Sequence, residues 1–265
     1  MTLNNTYESR LLRPETLAGA GAQLALLMLL DVTAGLGAAG WLAGAVFTAV
    51  TWSLLTRALH AASSPGPFGP ANAVTLARTV LIGGVTALVV ESFASGPPSV
   101  ALVALTSVAL ILDAVDGRVA RGTGTESALG ARFDMEADAF LILVLCVHVA
   151  ASLGAWVLLI GAMRYVFVAA ARPLPWLNGP LPPSMARKAV AALQGVVLLV
   201  AASGALPLVA SGLLVLGALA SLVWSFGRDI HGLWRVRDRA ADPVPHTGRA
   251  ADPVAGTSRS RVAAA

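Results

Sequence analysis

Four aspartates at two short spacings are the residues of this 265-residue chain best placed to do chemistry. Asp113 and Asp116 lie three apart in Asp113-Ala-Val-Asp116-Gly117-Arg118-Val-Ala120-Arg121, at the end of an apolar run. Asp134 and Asp138 lie four apart in Gly130-Ala-Arg132-Phe-Asp134-Met-Glu136-Ala-Asp138, at the start of the next. Such spacings put both members of a pair on one helix face. The short Gly/Thr-rich connection makes the two helices antiparallel neighbours, so all four carboxylates can face one another. Carboxylates that close cannot all stay ionised without a cation. Oxygen donors with no His or Cys among them select Mg²⁺ or Mn²⁺ over zinc. Two such ions would bind a diphosphate and stabilise the attacking and leaving oxygens of an in-line displacement. Gly117 and Gly130 would let a nucleotide or the facing helix approach the backbone, and Arg121 offers a planar fork for phosphate. A single aspartate could be a cap or an interfacial residue, Asp134 near its helix start above all. That reading does not explain two pairs meeting at one depth.

The elements that must position them are membrane helices. Hydrophobic residues make up 57% of the chain and charged ones 12%, against about 25% charged in soluble domains; the mean hydropathy is +0.77. Apolar runs of about 20 residues, enough to cross a bilayer, predict an all-α integral membrane protein of about eight spans. A transmembrane hairpin occupies residues 17–62, its helices near 17–36 and 37–59. A Gly/Pro/Ser-rich linker follows at 63–70, then a six-helix catalytic domain at 71–232. Its helices fall near 71–93, 98–121, 130–150, 153–172, 185–203 and 206–228. Residues 1–16 form a cytosolic N-terminus, and 233–265, with Arg-Ala-Ala-Asp-Pro-Val repeated at 239–244 and 249–254, read as a disordered cytosolic tail.

The net charge of +4 is placed by topology. Basic residues cluster at Arg10 and Arg13, Arg57, Arg78, 118–132, 164–188 and from Arg228 onward, whereas the connections around Gly37, Gly96, Leu153 and Ala205 hold no Lys or Arg. This is the positive-inside pattern, which puts both termini and the aspartates at the cytoplasmic face of the cell membrane. No aromatic-interleaved basic stripe is present for nucleic acid; the partner of the basic face is bilayer lipid. The lone cysteine, Cys146, reads as a buried hydrophobe.

The aspartate segment resembles the CDP-alcohol phosphotransferase family, whose pattern D-x2-D-G-x2-A-R-x8-G-x3-D-x3-D is filled by Asp113, Asp116, Gly117, Ala120, Arg121, Gly130, Asp134 and Asp138. The resemblance covers about 71–228 and leaves the hairpin and the tail outside. It implies a six-helix bundle of that family's kind in which Asp113, Asp116 and Asp134 hold the metals. Asp138 would help with metal and act as general base on the acceptor hydroxyl. It implies further that Asp116, Gly117, Ala120 and Arg121 line the cytidine diphosphate site. Family members also show P-N-x-x-T-x-x-R upstream; Asn72, Thr75 and Arg78 fit it as nucleotide contacts, with Pro70 displaced by one residue through Ala71. Asn72 can equally cap the helix. The partners so implied are a CDP-alcohol such as CDP-diacylglycerol, a hydroxyl acceptor and a second copy of the chain.

For the acceptor, Arg132, Arg164, Arg187 and Lys188 predict a pocket for an anion such as a polyol or sugar phosphate. Arg187 serves equally well as a positive-inside anchor. The chain also resembles phosphatidylglycerophosphate synthases, whose G-K-x-K-T-x-x-Q segment is matched by Lys188 and Gln194, with Arg187, Val190 and Ala191 at the other positions. Glycerol 3-phosphate, inositol phosphate, other sugar phosphates and amino alcohols remain open. Two rival functions use the same carboxylates. A membrane prenyltransferase also binds a diphosphate through aspartates on two helices, but it does not explain Gly117, Ala120 and Arg121. A carboxylate-based ion- or proton-coupled transporter explains neither those residues nor their offsets.

Overall fold

The computed structural model describes residues 14–61, 70–96, 100–123, 128–179 and 184–241. Among them there is no strand. The elements are α1 (Pro14–Ala34), α2 (Ala38–Ala61), α3 (Pro70–Ser95), α4 (Val100–Thr123), α5 (Ala128–Leu153), α6 (Leu158–Ala170), α7 (Met185–Ala202) and α8 (Leu208–Ala241), with 3₁₀ turns at Ala155–Val157 and Pro175–Asn178. Six of the helices carry apolar stretches long enough to cross a membrane; those of α4 (Val100–Val115) and of the α6 region (Ala155–Ala170) are shorter. The protein is a multi-pass, all-helical membrane bundle, as its hydropathy predicts.

The eight expected helices all form, and their ends have a physical cause. Gly35, Gly96, Gly154 and Gly204 have positive φ angles of 68°, 109°, 98° and 66°, a conformation that L side chains resist. They reverse the chain at four connections on one end of the bundle, the end without Lys or Arg. The aspartates lie at the other end, with the basic connections.

Helix α3 is the hub, packed on α1, α2, α4 and α5, while α5 also meets α6 and α7, and α7 packs on α8. Leu27, Ile82, Val85, Leu102, Leu141, Leu145, Val149 and Leu198 form the continuous core. Cys146 is buried among them, as expected of a small hydrophobe.

The hairpin docks on α3 through a carboxylate that the apolar pattern does not reveal. Glu91, buried near the end of α3, accepts a hydrogen bond from the Gly40 backbone N–H at 3.0 Å, and the Ser95 hydroxyl donates to its other oxygen. Gly40 lies in the first turn of α2, whose N–H groups have no partner within the helix, and negative charge is favoured there. A Cβ on Gly37 would stand 2.7 Å from Glu91 Oε1, so a side chain there would push the Glu91 carboxylate from this position. Glu91→Ala is expected to lower the unfolding temperature and to speed amide exchange at the start of α2 more than in α5–α8. Hydrogen exchange followed by mass spectrometry reads both regions in one experiment.

One expectation is corrected at the C-terminus. Residues 233–241, read as tail from their polar composition, continue α8, which has 34 residues and is therefore about 51 Å long. That exceeds the roughly 30 Å hydrocarbon thickness. The extension is held outside the main core by Leu233, buried with Ala171 and Leu177, and by the Arg237 guanidinium 5.8 Å from the Trp176 ring centroid. Residues 1–13, the linker at 62–69 and the tail at 242–265 lie outside the described residues.

Candidate active site

Helices α4 and α5 bring Asp113, Asp134 and Asp138 together, each offering a carboxylate oxygen within 4.8 Å of the others. These three meet as their spacing predicts. Asn72, Asp116, Gly117, Ala120, Arg121 and Arg132 fall on described helical backbone, but their side chains lie outside the described residues.

The charge that gathers the three carboxylates comes from α3. Arg78 Nη1 donates to Asp113 Oδ1 at 2.9 Å and to Asp134 Oδ1 at 2.6 Å, and Nη2 donates to Asp138 Oδ1. The Arg78 side chain is 1% exposed, whereas the aspartate side chains are 41%, 33% and 43% exposed. The guanidinium therefore approaches from the protein interior, and the carboxylates present a second side outward. The aspartate spacing predicts a metal as the compensating cation, and the family resemblance puts Arg78 on the nucleotide; the described contacts of Arg78 are with the aspartates. A depth count contains the signal. Arg78 lies about two turns inside α3 and Asp138 nearly three turns inside α5, and both helices start at the same end of the bundle. A buried arginine at the depth of three carboxylates is a natural partner for them.

Two other acids have no role in the sequence pattern. Glu136 pairs with Arg164 at 2.5 Å, so Arg164 on α6 is steered toward the exposed flank of the aspartate helix. Asp229 on α8 pairs with Arg187 on α7 at 3.3 Å, and its neighbour Arg228 reaches the Ser184 hydroxyl at 3.3 Å and stacks on Trp224. Lys188 is exposed beside Arg187. Gln194 is buried and donates to the Ala218 carbonyl at 3.0 Å, which makes it a tie between α7 and α8. Thr75 is buried one turn before Arg78.

The donor set suits a hard divalent cation. It consists of oxygens alone, and each carboxylate has a second oxygen besides the one on Arg78. A pocket of about 310 Å³ lined by Ser92, His148 and Ser152 lies at the opposite end and shares no residue with this cluster.

Comparison with known proteins agrees with this geometry. No curated protein and no solved structure matches the chain. The CDP-alcohol phosphatidyltransferase family model matches residues 69–224, more than half of the chain, from the start of α3 into α8, with the hairpin and the end of α8 outside it. Three aspartates drawn together at the basic end of a membrane bundle stand within that match, and the chain belongs to the CDP-alcohol phosphatidyltransferase family.

Proposed function

We propose that this transferase moves the phosphatidyl group of CDP-diacylglycerol to a hydroxyl of an anionic acceptor, a polyol or sugar phosphate, and releases CMP. The observation that carries the reading is the outward-facing cluster of Asp113, Asp134 and Asp138 in a chain of this family. Asp116 completes the acidic set that would hold Mg²⁺ or Mn²⁺, two ions in the fullest form. When bound, such cations supply positive charge to the donor's diphosphate. Asn72, Thr75, Gly117, Ala120 and Arg121 would receive the cytidine diphosphate. The acyl chains stay in lipid as the donor enters sideways from the leaflet.

Asp138 takes the proton of the acceptor hydroxyl as its oxygen attacks the lipid-side phosphorus. One phosphorus–oxygen bond forms to the acceptor, the bond to the bridging oxygen breaks, and CMP leaves with that oxygen. The clustering of basic residues at this end supports a site facing the cytoplasm of the cell membrane.

The test is purified protein in nanodiscs with labelled CDP-diacylglycerol, Mg²⁺ or Mn²⁺, and a panel of acceptors. Acceptor-dependent CMP release with a new phospholipid is the expected result. Pyrophosphate release from a prenyl diphosphate, with no CMP from any CDP-alcohol, would overturn the reading.

Arg164, Arg132, Arg187 and Lys188 supply the positive charge for the acceptor. Arg164 is the most informative of them, because its position is fixed by Glu136, two residues from Asp138 on the same helix. A charge-assisted hydrogen bond is worth about 1.5–3 kcal/mol, or roughly tenfold or more in affinity. Arg164→Ala should therefore raise the KM for an anionic acceptor by about that factor and leave the KM for the CDP-lipid unchanged. Initial rates with each substrate varied in turn check it.

A further inference from the structure

We infer that Arg78 is the positioning residue of the aspartate cluster: its buried guanidinium holds the inner oxygens of Asp113, Asp134 and Asp138 so that their outward sides form a ready site for a divalent cation. The inference rests on the reading above for the identity of the bound cation, and goes beyond it by moving Arg78 from the nucleotide to the carboxylates.

Burial and geometry carry it. Three carboxylates within 4.8 Å of one another repel strongly, and on their own they would splay apart or take up protons. A charge that balances them without covering their outer side must come from the interior. Arg78 does so from about two turns inside α3, the hub helix, with a side chain 1% exposed. Its two terminal nitrogens reach all three acids, which calls for a planar fork and not a point charge. Fixing an arginine fork costs side-chain entropy, and α3 meets that cost in the fold itself, before any ligand arrives. Partners outside a metal's own ligands that orient those ligands typically set 10–100-fold in metal affinity.

The experiment compares wild type, Arg78→Gln and Arg78→Lys in nanodiscs, with two readouts that need no nucleotide. Mn²⁺ uptake is followed by the electron paramagnetic resonance of the free ion, and thermal unfolding is recorded in EDTA and in saturating Mn²⁺. Arg78→Gln is expected to weaken Mn²⁺ binding by about 10–100-fold, to unfold at a lower temperature than wild type in EDTA, and to recover a larger share of its stability from Mn²⁺. Arg78→Lys, with the charge but not the fork, should fold and still bind Mn²⁺ about tenfold or more weakly.

Wild-type affinity in Arg78→Lys would overturn the inference, even if Arg78→Gln could not be purified. A raised KM for the CDP-lipid with unchanged Mn²⁺ affinity would also overturn it and return Arg78 to the nucleotide. The two readings fail separately. If wild type binds Mn²⁺ and both variants bind it weakly, Arg78 keeps its role even where no CDP-alcohol is turned over. If wild type binds no Mn²⁺, the cation site fails, and the role of Arg78 toward it fails with it.

Discussion

Asp138→Asn is expected to cut CMP release by about a thousandfold, within the 10²–10⁴ that a positioned general base contributes. The substitution is nearly isosteric. The asparagine carbonyl can still accept from Arg78 Nη2, where the Asp138 oxygen now accepts, so the helix contact and the shape of the site are kept. What is lost is the negative charge, and with it both the basic oxygen that receives the acceptor's proton and part of the hold on the cation. At saturating Mg²⁺ the loss should therefore fall on kcat, with the KM for the CDP-lipid little changed. Asp138 is the member of the cluster farthest into α5, and its side chain is 43% exposed, which leaves it open to a hydroxyl arriving from outside. Single-turnover CMP release, measured beside thermal unfolding, separates chemistry from folding. Turnover equal to wild type would remove Asp138 from the role of base.

The sequence and the structure divide the explanation of this site in an instructive way. Helix number and order were legible because each apolar run is bounded by charge or by turn residues. Gly35, Gly96, Gly154 and Gly204 mark reversals by a backbone conformation that their type permits. The convergence of Asp113, Asp134 and Asp138 was legible because it depends on spacing within two helices joined by a short connection. The salt bridges were not. Arg78 with the aspartates, Arg164 with Glu136 and Arg187 with Asp229 each join helices whose relative rotation no local pattern states. Glu91 shows the same limit. In the sequence it is one acid near the end of an apolar helix, and only the packing of α2 on α3 turns it into a cap for Gly40. Composition misled once, at residues 233–241. Their polar character hid the few contacts, Leu233 and Arg237 on the 3₁₀ turn, that hold the end of α8.

Exhaustive chelation is expected to bring CMP release down to background, and Mg²⁺ or Mn²⁺ to restore it. Asp113, Asp134 and Asp138 offer oxygen alone, which suits hard cations, and Zn²⁺ prefers nitrogen and sulfur ligands that this cluster lacks. His148, on the same helix as Asp138, faces Ser92 at the far end of the bundle. Ca²⁺ takes six to eight oxygens at longer range, more than a compact acidic cluster supplies, so it should restore activity poorly. The loss should be reversible, because Arg78 continues to balance the carboxylates once the divalent cation is gone. Two measurements on one sample check this: CMP release through a cycle of EDTA and readdition, and the unfolding temperature at each stage. Full activity after chelation would take the divalent cation out of the reaction. Activity that vanished together with the fold would mean that Arg78 does not hold the cluster by itself.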